Sequence, residues 1–111
     1  MKQNLLFVCS ANLNRSPTAE NLFKNSNDYS AKSAGIFVGT NIVNQDLINW
    51  ADLIFVMSEK EDGHLTLLKN NFNLDGKKVY DLDIPDIYYE GDPELIGTLK
   101  EKLSHYLTGG V

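Results

Sequence analysis

Four short stretches read as strands, at 5–8, 29–34, 53–57 and 79–82, the second only weakly apolar and ended by Gly35, and apolar side chains spaced for one face of a helix follow each. Runs of this length suit strands. The third is apolar throughout with β-branched and aromatic members, as expected for a strand covered on both faces. The helical faces are carried by Ala19, Leu22 and Phe23, by Val43, Leu47 and Trp50, by Leu65 and Leu68, and by Leu95, Leu99, Leu103 and Tyr106. The last helix has the clearest ends: Asp92 can cap it, Pro93 suits its first turn, and Gly109 and Gly110 would stop it. Four strands alternating with four helices predict right-handed crossovers onto a parallel sheet. The expected fold is therefore α/β, a single three-layer domain over 1–111 with a four-stranded parallel sheet and helices on both faces. In such sheets ligands bind beyond the carboxyl ends of the strands, and Cys9 falls at the end of the first.

The composition narrows the partners. Fifteen acidic residues against ten basic ones give a net charge of -5, so no electrostatic footprint for nucleic acid or an anionic membrane is expected. An anion site on such a chain has to be local, built from amides and one or two cations. No apolar run approaches the roughly 20 residues needed to span a bilayer, and the N-terminal apolar stretch lacks the flanks of a signal peptide. A cytoplasmic location is expected. Cys9 is the single cysteine, hence a free thiol with no disulfide to form within the chain. The two histidines, His64 and His105, stand far apart with no second ligand at metal-like spacing, so no metal or other cofactor is expected and both are read as surface residues.

The chemistry concentrates in 9–17, CSANLNRSP. Cys9 ends a strand, five residues intervene, and Arg15 and Ser16 follow where Pro17 lets a helix begin. If the loop curls back, its amides from Ser10 to Arg15, with Ala11, Asn12, Leu13 and Asn14 between, face inward as a nest, and the helix start adds positive potential. Such a nest takes an anion the size of phosphate, sulfate or vanadate. Arg15 can close the ring with a bidentate fork that a lysine cannot reproduce. A thiol set between a helix N-terminus and a guanidinium ionises more readily, and the thiolate is the nucleophile. Ser16 can donate a hydrogen bond to it. Asn12 tolerates the left-handed backbone that a sharp curl requires.

With Cys, five residues and then Arg-Ser-Pro near the N-terminus, the run from Cys9 to Glu20 resembles the signature of the low-molecular-weight protein tyrosine phosphatases. Segments 33–35 (SAG) and 51–57 (ADLIFVM) also look like family segments, and 84–89 (IPDIYY) resembles the late loop that carries the family's general acid. The resemblance implies a phosphatase-I-like fold and a phosphomonoesterase acting on a phosphorylated protein or a small phosphomonoester. In that scheme Cys9 attacks phosphorus, Asp86 protonates the leaving oxygen, a phosphocysteine is hydrolysed with Asp86 as base, and no metal takes part. Asp83 is the alternative acid. Tyr88 and Tyr89, beside that loop, either line the substrate cleft or pack against the domain.

The sequence also departs from the family pattern. Segment 36–51 is short where the family has a longer stretch that walls the cleft, so a shallower cleft is expected and a phosphotyrosine substrate does not follow automatically. Ala11 replaces a usual Gly, which would cost roughly 1 kcal/mol if that position needed a positive φ. Asn14 replaces a second Cys, removing a disulfide partner for Cys9. Ile87 stands where Pro is usual, which loosens the loop that holds Asp86. Three other functions share the scaffold: an arsenate reductase using an external thiol, since the three-cysteine relay is excluded; a sugar-transport phosphocarrier, which needs neither the arginine nor a late acid; and a phosphate-binding module without turnover.

Overall fold

In a computed structural model, which describes residues 2–36, 38 and 41–107, the element order is β1 (Gln3–Cys9), α1 (Arg15–Leu22), β2 (Tyr29–Gly35), α2 (Gln45–Trp50), β3 (Leu53–Val56), α3 (Glu59–Asp62), α4 (His64–Asn71), β4 (Lys78–Asp81) and α5 (Pro93–Leu103). The four strands form one sheet in the order β2-β1-β3-β4, with every pair parallel. β1 lies inside. The chain leaves β1 through α1 to reach β2 on one side, then crosses back through α2 to β3 on the other, so the direction of winding reverses at β1. Crevices open at such reversals, and the carboxyl end of β1 is Cys9.

Side-chain alternation along the strands divides the interior into two cores, because successive side chains of a strand point to opposite faces. Leu5, Phe7 and Cys9 of β1 join Phe55 and Met57 against Ala19, Phe23, Leu95, Leu99 and Leu103, the inward faces of α1 and α5. Leu6 and Val8 join Ile54 and Val56 against Ile48 and Leu68, from α2 and α4. This is the three-layer α/β arrangement anticipated from the alternation. Phe7 stacks on Phe23 at 5.8 Å and on Phe55 at 5.4 Å between centroids, so the strand that ends at Cys9 is held from both sides.

Several details differ from expectation. Helix α1 begins at Arg15, two residues before Pro17, because the first turn does not need the amide that proline lacks. Val43 lies ahead of α2 instead of on its face, yet is buried through the bridge between Gly35 and Ile42. An extra single-turn helix, α3, makes five helices among the described residues; Ser58 caps it by accepting from the Glu61 amide at 3.1 Å, and Gly63 ends it in the left-handed region at φ 65°. Tyr106 sits in the turn beyond α5, and the proposed stop at Gly109 and Gly110 lies outside the described residues. Asp92 caps α5 through Glu94 and Pro93 takes its first position, as expected.

Candidate active site

The site is assembled from the carboxyl ends of all four strands. Between β1 and α1 the loop turns sharply at Asn12, whose φ of 54° is left-handed and whose side chain is buried. An asparagine was expected there for that reason. Ala11 is not among the positive-φ residues, so the substitution of alanine for glycine carries no backbone strain. The end of β2 underlies the turn: the Ile36 amide donates to the carbonyls of Cys9 at 3.0 Å and Ser10 at 3.2 Å. Gly35 comes so close that a Cβ on it would lie 3.0 Å from the Ala11 carbonyl carbon and 3.1 Å from the Asn12 nitrogen.

Cys9 Sγ lies 2.9 Å from Ser16 Oγ, and Ser16 Oγ in turn donates to Asn12 Oδ1 at 2.9 Å. One hydroxyl carries one proton, so in this arrangement Ser16 accepts from the thiol. Turning the Asn12 carboxamide over would present an N–H to Ser16 and free the hydroxyl proton for a thiolate. The left-handed residue and the nucleophile are thus parts of one network.

Arg15 is 1% exposed, a full burial that a lone surface charge would not have. Its Nη1 donates to Asp62 Oδ2 at 2.9 Å and to the Ile84 carbonyl at 2.9 Å, while Nε lies 3.6 Å from Asp86 Oδ1. Cys9, Ser10, Ala11, Leu13, Asn14, Arg15 and Asp86 together line a small depression of about 50 Å³. Larger depressions, one of about 540 Å³ beside Lys32 and Asn44, lie away from the sulfur, and size does not decide for an anion as small as phosphate.

Asp86 therefore meets the loop, and Asp83 does not: Asp83 is exposed, left-handed at φ 52°, and its carbonyl accepts from Lys102 at 2.7 Å. Tyr88 packs against the core on the α5 side of the sheet, and Tyr89 is 64% exposed; neither lines the depression. The Gly91 amide donates to Thr18 Oγ1 at 3.0 Å, which ties the late loop to α1 despite Ile87 standing in place of proline.

His64 was expected on the surface and is 1% exposed; His105 is exposed as expected. The Ser58 amide donates to His64 Nδ1 at 3.0 Å, so the neutral ring carries its proton on Nε2, which donates to Ser10 Oγ at 2.9 Å. Burial is the main cause that holds its pKa below the ordinary 6.5, and the charge of Arg15 adds to it. Asp62 and His64 are the two residues that sequence reasoning missed. Their one signal was position, since they follow the end of β3 and so belong to the same rim as Cys9. No group of three metal-binding side chains occurs among the described residues, and none of their helices is long and apolar enough to cross a membrane.

Comparison with known proteins bears on this geometry. The family model for low molecular weight phosphotyrosine protein phosphatase matches residues 4–48, which include the whole loop from Cys9 to Ser16. Over that stretch, which carries the nucleophile loop, the chain is similar to the low molecular weight phosphotyrosine protein phosphatases. Solved structures agree along nearly the whole chain. The tyrosine phosphatase Wzb from Escherichia coli K30, in complex with phosphate, is 19% identical with a TM-score of 0.72, covering 96% of each chain. The tyrosine phosphatase amsI from Erwinia amylovora is 23% identical at 0.72, covering 98% of this chain and 95% of that one. The arginine phosphatase YwlE from Geobacillus stearothermophilus is 20% identical at 0.64, covering 93% and 91%. At these identities the structures share the fold, and family and neighbours alike are phosphatases. No curated protein sequence matches the chain.

Proposed function

We propose that the chain is a cysteine-dependent phosphomonoesterase that works through a phosphocysteine, with phosphotyrosine side chains as its substrate class. The observation that carries this is the convergence of Cys9, Arg15 and Asp86 on one small depression at the reversal point of the sheet. A phosphoryl group seated there meets the loop amides and the Nε and Nη2 edge of Arg15, since both hydrogen bonds of that guanidinium fall on Nη1. Most catalysis of phosphoryl transfer comes from such preset donors around the equatorial oxygens.

In the first step Cys9, already ionised to the thiolate, attacks phosphorus in line, the P–O bond to the substrate breaks, and Asp86 gives its proton to the departing oxygen. Asp86 suits the acid because it is 54% exposed and stands at the mouth, where a leaving group departs. In the second step Asp86, now a carboxylate, takes a proton from water as that water attacks phosphorus and releases Cys9 with phosphate. Ser16 steadies the sulfur as it leaves. Leu13, 62% exposed on the rim, supports an aryl ester over a cationic one by offering an apolar contact.

The test is hydrolysis of p-nitrophenyl phosphate by the purified chain, with vanadate and phosphate as competitive inhibitors. Cys9→Ser should abolish turnover and keep phosphate binding. Turnover that persists in Cys9→Ser would refute the mechanism. A panel of phosphotyrosine peptides, phosphoarginine peptides and sugar phosphates at equal concentration reads the substrate class, and arsenate reduction with added glutathione exceeding phosphatase turnover would replace the reading by the reductase.

A further inference from the structure

The turn from Ser58 to His64 touches the loop at both of its limbs. His64 Nε2 donates to Ser10 Oγ at 2.9 Å, next to the nucleophile, and Asp62 Oδ2 accepts from Arg15 Nη1 at 2.9 Å, at the closing limb. The two contacts belong to one rigid unit. Ser58 Oγ caps α3, the Ser58 amide donates to His64 Nδ1, and left-handed Gly63 lets His64 fold back over the helix it follows. Asp62 and His64 are themselves 3.9 Å apart.

We propose that Asp62 and His64 are positioning residues of the anion-binding loop, Asp62 by locking the plane of Arg15 and His64 by pinning Ser10. This rests on the phosphatase reading of the site. Arginine is useful to an oxyanion only if its two free N–H groups point at it, and a guanidinium can rotate about its last bonds. Two acceptors on Nη1, the Asp62 carboxylate and the Ile84 carbonyl, remove that rotation and leave the opposite edge facing the depression. A side chain that merely neutralised Arg15 would act differently: it would compete with the anion, and removing its charge would strengthen anion binding. Position and charge can therefore be separated.

The experiment compares Asp62→Asn, which keeps an acceptor in place and removes the charge, with Asp62→Glu, which keeps the charge and moves it outward. Dissociation constants for inorganic phosphate are measured by calorimetry, kcat and KM with p-nitrophenyl phosphate, and unfolding midpoints confirm that each variant is folded. Positioning predicts that Asp62→Glu weakens phosphate about tenfold and lowers kcat, with Asp62→Asn within about threefold of wild type. The reverse order, equal losses, or wild-type values in both variants would overturn it. For His64, Ser10→Ala and His64→Ala should each weaken phosphate about 3–10-fold and the double variant no further, since one hydrogen bond links them. Fully additive losses would remove His64 from the proposal. Phosphate binding is read without turnover, so a wild-type chain that binds phosphate and hydrolyses nothing sinks the phosphatase reading and leaves the Asp62 comparison to decide this one.

Discussion

Replacing Arg15 by lysine tests whether the guanidinium is needed for its shape or only for its charge. The side chain is 1% exposed, so the substituted ammonium stays in the same buried setting and faces the same partners, Asp62 and the Ile84 carbonyl, each now 2.9 Å from Nη1. Those two acceptors can be satisfied by an ammonium, and the fold should survive. What a lysine cannot do is hold them while offering a second parallel pair of donors to an oxyanion. Hydrogen bonds to charged groups contribute about 1.5–3 kcal/mol each, so losing two in the transition state raises the barrier by roughly 3–6 kcal/mol. At 1.36 kcal/mol per tenfold this is about 10²–10⁴ in kcat. Steady-state hydrolysis of p-nitrophenyl phosphate, paired with the inhibition constant for phosphate and the unfolding midpoint, measures all three consequences. A folded Arg15→Lys variant within tenfold of wild-type kcat would refute the reasoning, because it would show that a point charge suffices.

Gly35→Ala should lower the free energy of unfolding by about 1–3 kcal/mol through overpacking and weaken phosphate inhibition, since the new Cβ would lie 2.1 Å from the Val38 carbonyl oxygen and press on Ala11 and Asn12; unchanged inhibition would show that the loop does not lean on β2. Asp86→Ala should slow poor leaving groups far more than p-nitrophenol, and equal losses across a leaving-group series would remove Asp86 as the acid. Because folding holds the His64 pKa below 6.5, the unfolded chain binds that proton first on acidification; the stability His64 contributes is complete above pH 6.5 and is lost as pH falls toward its folded value. His64→Gln should therefore show a shallower decline in unfolding midpoint between pH 7 and 5 than wild type, and parallel curves would contradict it.

The layers of this protein could be read from spacing alone. A continuous apolar run such as Leu53–Val56 is stable only with both faces covered, and Leu95, Leu99 and Leu103 can meet the sheet together only on a helix, so α/β alternation follows from local physics. The loop was legible for the same kind of reason: Cys9, Asn12, Arg15 and Ser16 lie within eight positions, and their separation along the chain already limits how they can meet in space. Boundaries were less legible. The spacing of Val43 with Leu47 and Trp50 is helical, but a bridge between the backbones of Gly35 and Ile42 claims that stretch first.

What spacing could not reach is everything that joins Arg15 to the rest of the rim. Asp62 and Ile84 are 47 and 69 positions away from it, and Asp86 competes along the chain with several other carboxylates in the same acidic stretch. Which carboxylate arrives is decided by the register of β3 against β1 and of β4 against β3, which sets where each strand ends, and no local pattern encodes that alignment. His64 shows the same limit in sharper form. A histidine after a glycine in a charged stretch has the local marks of a surface residue, yet the parallel sheet brings the end of β3 beside the end of β1, and the ring is buried between Ser58 and Ser10.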